Sequence, residues 1–339
     1  MPVGQLNFTK VLKEGTVWRS AQCRTAPVVD ESAEDGMSSV PEVVKVAERL
    51  RESARAKNAG RDVSAVFQEV VQLPLWEERV RGLPNSFARS ALFTSANRSV
   101  ERENFKRRKI ATLRGAEIFY TGEELRQDDG DVFLQIVHLA RQQPLGDVVE
   151  FSGYALLKDL EWTTSKGSYE RLRDSINRLS STTVLVKTDG STGQPEKGFG
   201  GSLVRKFEWN ADAERGTSQC WRIWLEPEIV VLFGRDTYTR IDWAQRLQLP
   251  PLAKWLHQFY FTHEKPIGYK VETIKTLCGS RIGVLAKFRY KLREALALLV
   301  EVGFLVSYDI DSRTDILNVV RAPRRIAVTD VIEGKCTKH

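Results

Sequence analysis

An α+β fold is predicted for this chain, and three observations carry the prediction. Between Gly279 and Gly303, Leu285, Phe288, Leu292, Leu296 and Leu299 recur at steps of three and four, which puts them on one stripe of an α-helix. That helix is followed by strand-like FLVSYDI, the polar turn Asp311-Ser312-Arg313 and a second strand-like run, ILNVV. A similar succession of helices and strands lies upstream, between about Ile110 and Gly234. Helix, strand, polar tip and returning strand is the order of a winged helix, a helix-turn-helix variant that lays its second helix in the major groove. The expected architecture is two tandem winged-helix domains preceded by a flexible N-terminal arm. Residues 1–109 form the flexible or partly helical N-terminal region, 110–235 the first domain and 236–339 the second.

Taken in order, residues 1 to about 65 are poor in aromatics, and the acidic run Asp30–Gly36 is unsuited to folding alone. A helix is expected over Val40–Ala59, with Ser39 before Pro41 as its cap. In Gln72-Leu73-Pro74-Leu75-Trp76, Pro74 disfavours helix and sheet interior. The segment reads as an extended peptide for a hydrophobic groove, or as a loop that tucks Trp76 into its own domain. Asn97–Arg114 is the most basic stretch, with Arg98, Arg102, Lys106, Arg107, Arg108, Lys109 and Arg114. In the first domain, Glu117–Tyr120 reads as a strand, Gly122–Gln143 as an amphipathic helix and Val148–Phe151 as a strand. Ser152 caps a helix over Tyr154–Leu160, and a further helix spans Ser165–Leu179. Val184–Lys187 opens a hairpin whose glycine-rich tip is Asp189–Gly201, with Ser202–Trp209 returning and Cys220–Leu225 adding a strand. In the second domain an apolar helix covers Pro251–His263 and a short one Ile274–Cys278, before Gly279 turns into the basic helix.

Composition excludes several function classes. A hydrophobic content of 42% and charged content of 28% over 339 residues are those of a soluble globular chain. The net charge of +7 favours a polyanionic partner. Cys23, Cys220, Cys278 and Cys336 are far apart, and with four histidines no zinc spacing can be assembled. No run approaches the ~20 apolar residues that cross a bilayer, and the start lacks a signal-peptide core, so no membrane is expected and the cytoplasm is the expected compartment. Gly190–Lys197 has glycines and a lysine in the wrong order for a phosphate-cradling loop. With no H-E-x-x-H or G-x-S-x-G either, no catalysis, cofactor or metal is expected. His138 reads as a core-edge histidine.

Binding is left as the work. On the Gly279–Gly303 helix, Lys287, Tyr290 and Lys291 stand opposite the apolar stripe, with Arg293 on the flank and Arg281 before the first turn. From Arg281 to Arg293 no acid interrupts them, so this helix is the expected DNA reader. Its upstream counterpart carries Lys166, Arg171, Arg173, Asn177 and Arg178, but also Glu170 and Asp174, which weaken it as a reader.

Several stretches taken together resemble the TrfA family, the replication initiators of IncP plasmids. They are Gln72–Trp76, Ala88–Thr94, Ile229–Phe233, Lys270–Thr273 and Leu277–Ser280, in order over about Val70 to Val306. The resemblance implies an initiator that binds repeated sites, or iterons, in duplex DNA at a plasmid origin, helps open it, and works with the host initiator and replicative helicase without hydrolysing ATP. It implies a homodimer in equilibrium with monomer, and the second domain as main reader. It also implies sliding-clamp binding by Gln72, Leu73, Leu75 and Trp76, with Pro74 and Trp76 departing from the family's polar residue and phenylalanine. A short form starting at Met37 fits the family's use of internal starts. The alternatives are a winged-helix repressor without replication partners and a clamp-tethered accessory protein.

Overall fold

Apolar residues in the strap ahead of the first expected domain have no helical or strand period, yet they are what closes the core. A computed structural model describes residues 71–113, 116–188, 197–210, 220–234 and 236–323, all within one compact unit, Phe67–His339. Leu73, Trp76, Leu83, Phe87, Leu92 and Phe93 are buried. Strand β1 (Val80–Pro84) pairs antiparallel with β9 (Tyr238–Asp242), and the short helix α1 (Asn85–Ala88) follows it. Residues 71–109 are therefore folded into the body, and the boundary expected at residue 110 is not where order begins. The reason is that burial of these side chains offsets the entropy of ordering the strap. The expected helix at Val40–Ala59, Met37, Cys23 and Cys336 lie outside the described residues.

The same succession of elements occurs twice. In the first repeat α2 (Gln127–Ala140) is followed by β4 (Val149–Ser152), α3 (Gly153–Asp159) and α4 (Lys166–Ser181). The repeat is completed by β7 (Lys206–Asn210) and β8 (Cys220–Trp224). In the second, α6 (Pro251–Phe261) is followed by β10 (Tyr269–Lys270), α7 (Val271–Leu277), α8 (Leu285–Glu301), β11 (Leu305–Ile310) and β12 (Ile316–Arg321). Each repeat has a three-stranded antiparallel sheet with its last strand central, in the orders β4-β8-β7 and β10-β12-β11. The helices start where the side chains say they should: Ser152 accepts from Ala155 N at 3.0 Å and Ser165 from Ser168 N at 3.4 Å. Phe288, Leu292, Leu296 and Leu299 of α8 are fully buried, as the stripe requires, with Leu285 at the core's edge.

The first hairpin departs from expectation. Strand β5 (Thr183–Thr188) pairs with β6 (Lys197–Gly201) and with β3 (Ala116–Glu123), which pairs in turn with β2 (Asn104–Ile110). This four-stranded sheet is separate from the three-stranded one. Val184 and Val186 face the core opposite Tyr120 and Ile118, so they are held by β3. The hairpin equivalent to β11–β12 of the second repeat is β7–β8; its connection, 211–219, and the expected tip, 189–196, lie outside the described residues.

The two repeats share charged and polar contacts through α2 and the helix α5 (Trp243–Leu247). At the turn between α7 and α8, Gly279 takes φ +63°, and a Cβ there would stand 2.8 Å from the Thr94 methyl. Only glycine fits that approach to the strap.

Candidate nucleic-acid interface

Helix α8 buries one stripe, so its remaining positions must face water. Lys287, Tyr290, Lys291 and Arg293 are exposed, Tyr290 by 60%. Lys291 Nζ meets Glu294 Oε2 at 2.8 Å, and the ammonium lies 5.5 Å from the centre of the Tyr290 ring. The hydrogen bond to Glu294 raises the Lys291 pKa, and that bond to Lys291 lowers the Glu294 carboxyl. An acid one position past the expected basic run thus reaches back onto it. Lys287 and Arg293 make no ion pair among the described residues.

What steadies this face is not legible from local pattern. Arg289, on the same helix, donates through Nε and a terminal nitrogen to both oxygens of Asp315 at 2.7 and 2.9 Å. Asp315 lies in the β11–β12 turn at φ +55°. This bidentate fork ties the helix to the hairpin. Twenty-six residues separate the pair, and no local pattern announces it.

Arg281, also expected to meet DNA, is exposed and at the same time paired with acceptors from outside the second repeat. It donates to Glu101 O at 2.7 Å, meets Glu124 Oε2 at 2.9 Å and lies 3.2 Å from Glu103 Oε1. Three acceptors from the strap and from the loop ahead of α2 hold its guanidinium, and the side chain keeps 32% of its surface exposed.

Helix α4 divides its five expected contacts. Lys166, Arg173 and Asn177 are exposed. Arg171 instead lies over the Trp162 ring, 3.3 Å from its centre, and meets Asp128 Oδ2 at 2.7 Å. Burial lowers its pKa against the pull of Asp128. Arg178 meets the buried Asp129 Oδ1 at 2.9 Å, and Arg102 meets the same carboxylate at 2.7 Å. Asp129 also accepts from Arg126 N at 2.8 Å, which closes the first turn of α2. Arg171 and Arg178 are therefore spent on acids of α2, which the sequence could not reveal because those acids lie some fifty residues upstream.

The basic stretch around β2 is likewise partly neutralised: Arg98 meets Asp128 at 2.8 Å, Arg108 meets Glu103 at 3.0 Å, and Lys109 pairs with Glu117. Lys106 and Arg107 stay exposed; Arg114 lies outside the described residues.

The four residues expected to grip a clamp do not form one outward surface. Leu73 is 2% and Trp76 6% exposed, whereas Leu75 is 70% exposed. The Trp76 indole stacks on Phe233 at 6.1 Å, donates to His138 Nδ1 at 3.0 Å and covers Gly82. Gln72 Nε2 donates to Arg141 O at 3.2 Å. Of the two readings of this segment, the groove ligand needs both aromatic and leucines outward; the tucked loop is the one found. Burying an indole removes ~150–250 Å² from water, which decides the matter unless a partner offers as much.

Against known proteins, the family model described as TrfA protein matches residues 39–316. The chain is 30% identical over 256 residues to the plasmid replication initiator protein TrfA of Escherichia coli, a match covering 75% of this chain and 65% of that protein. It thus spans just under two thirds of that relative's length. Among solved structures, domains 2 and 3 of RctB align with a TM-score of 0.49 at 13% identity, covering 70% of this chain and 98% of that one. A second structure of RctB domains 2–3 aligns at 0.45 and 13% identity, covering 66% of this chain and 93% of that one. With the match of the family model running over most of its length, the chain belongs to the TrfA protein family.

Proposed function

We propose that this protein initiates plasmid DNA replication by binding repeated duplex sites at an origin, with two tandem winged helices and α8 as the main reader. The carrying observation is the outer face of α8, where Lys287, Tyr290, Lys291 and Arg293 stand exposed while Arg289 anchors the helix to its hairpin. Phosphate contacts supply most of the affinity and base-edge contacts the discrimination. Helix α4 adds backbone contacts through Lys166, Arg173 and Asn177, and has fewer free cations because Arg171 and Arg178 are engaged inside. The relative of the same family is named a plasmid replication initiator, which supports the wider setting. In that setting the protein works in the cytoplasm with the host initiator and the replicative helicase, and exchanges between homodimer and monomer.

Sliding-clamp binding by Gln72, Leu73, Leu75 and Trp76 belongs to the same reading, but requires the segment to leave its cleft. The folded form offers Gln72 and Leu75 only. That burial favours, as second reading, a repressor that binds DNA without replication partners. A titration on the plasmid's own origin repeats and on random duplex of equal length, at physiological salt, tests DNA reading. A preference of at least ~10³-fold is expected for specific recognition; equal, salt-sensitive binding to both sinks it. Clamp pull-down with and without Gln72→Ala and Leu75→Ala separates initiator from repressor.

A further inference from the structure

The two repeats meet through charge that is buried on both sides. Asp131 of α2 accepts from Arg246 Nε of α5 at 2.7 Å and from Lys254 Nζ of α6. The rest of the Arg246 guanidinium reaches Gln127 Oε1 at 2.9 Å and Gln258 Oε1 at 3.1 Å. Arg246 is wholly buried and Asp131 1% exposed. A second tie joins the entry of α8 to the first repeat, where Arg281 meets Glu124 and Glu101 O. Beside it Cys278 O accepts from Ser95 N at 2.9 Å, and Gly279 lies against Thr94.

An apolar interface tolerates sliding, but a planar guanidinium fork with acceptors on several sides admits one orientation. Buried charges have no water to take over when the geometry shifts. The ties hold different parts of the second repeat: Arg246, on α5 just ahead of it, and Asp131 grip Gln258 and Lys254 of α6, and Arg281 lies just ahead of α8. A pivot about one therefore breaks the other. Helix α2 packs on α4, and α6 packs on α8, so the path from one outward helix to the other runs through packed helices and these ties.

We propose that these ties fix the spacing at which α4 and α8 meet DNA. One copy then reads a site whose two segments must lie a set number of base pairs apart. This rests on the DNA-reading function above. Asp131, Arg246 and Arg281 are positioning residues here, and need not touch DNA.

The test compares the full chain with Arg246→Met, with Arg281→Gln and with the double variant. Spin labels on non-natural amino acids at Gly167 of α4 and Ala286 of α8 report the helix separation without DNA; both positions face open space or solvent. One narrow distance distribution is expected for the parent and a broadened one for the variants. Binding is then measured on an origin repeat with base pairs inserted between the two segments that footprinting protects. Five inserted pairs turn one segment about half a helical turn from the other, so the parent should lose at least ~30-fold. The double variant should bind the natural repeat less well yet lose under ~3-fold on insertion, a ratio that general destabilisation does not move. A parent indifferent to insertion overturns the proposal, as do folded variants that keep both the narrow distance and the parent's penalty. Should Arg246→Met fail to fold, Arg281→Gln, on a partly exposed residue, decides by the same two readouts. Loss of any preference for repeats over random duplex in the parent refutes DNA reading itself, and the DNA-free distances still judge the ties.

Discussion

His138 shows how one proton can hold a segment in place. The Trp76 indole can only donate, so its 3.0 Å contact makes His138 Nδ1 the acceptor and puts the ring proton on Nε2. That nitrogen lies 2.9 Å from Glu78 Oε2, and Arg141 pairs with the same carboxylate. Burial pushes the His138 pKa down to about 4, with Arg81 and Arg141 adding to the fall and Glu78 opposing it. His257 and His263 are also lowered, by burial first. The unfolded chain takes up these protons near pH 6.5 and the folded chain resists until lower pH. The stability from neutral His138 is therefore present above about 6.5 and lost as pH falls toward about 4. Denaturant melts between pH 7.5 and 4.5 should show a fall on the order of 3 kcal/mol from this group, at ~1.4 per pKa unit. His138→Gln should lower stability at neutral pH and flatten the slope; an unchanged slope would mean the Trp76 contact does not govern it. None of this was legible in the sequence beyond an apolar setting for His138, because Trp76, Glu78 and Phe233 lie 60 residues or more away along the chain.

Single elements were legible where their own periodicity decides them. The α8 stripe, the Ser152 cap and the glycine before α8 follow from residues within one or two turns, whereas Ser165, read as the first residue of its helix, is its cap. Strand pairing was not: β2 is basic and exposed at nearly every position, and β5 reads as a hairpin arm until β3 is seen beside it. Lys287, Tyr290, Lys291 and Arg293 of α8 are exposed, but Glu294 and Arg289 show that the run of cations is partly occupied. Lys287→Ala with Lys291→Ala should weaken repeat binding by ~10- to 1000-fold, on the scale of one or two lost contacts. The melting temperature should hardly move, since both side chains stand in solvent. Arg178→Ala should do the reverse, lowering stability by removing a partner of buried Asp129 and leaving repeat binding per folded molecule nearly intact. Equal binding by the lysine double variant and the parent would remove α8 from the interface.

At the scale of the whole molecule, the described residues form two hydrophobic cores, one under each repeat, yet these are not independent. Strand β1 precedes the first repeat and pairs with β9, which leads into the second, and Trp255 Nε1 of the second core donates to Ser90 O of the strap at 2.9 Å. Such contacts cross the boundary expected near residue 235, so the sequence's two-domain division, drawn from local patterns, misses what joins the halves. The Asp131–Arg246–Lys254 cluster lies in that junction, and its energetics are asymmetric. Desolvating three charges is costly, so the intact cluster adds little net stability, but removing one member leaves the others uncompensated. Arg246→Ala should therefore cost ~3–5 kcal/mol, or roughly 6–20 °C in melting temperature for a chain of this size. Replacing Asp131, Arg246 and Lys254 together by apolar residues of similar volume should recover most of that loss. Calorimetry of the parent should show one transition for residues 67–339, because neither repeat can unfold without exposing the other's buried charge. Two transitions in the parent, or a triple variant as unstable as Arg246→Ala, would show that the halves fold apart and that packing, not charge, holds them together.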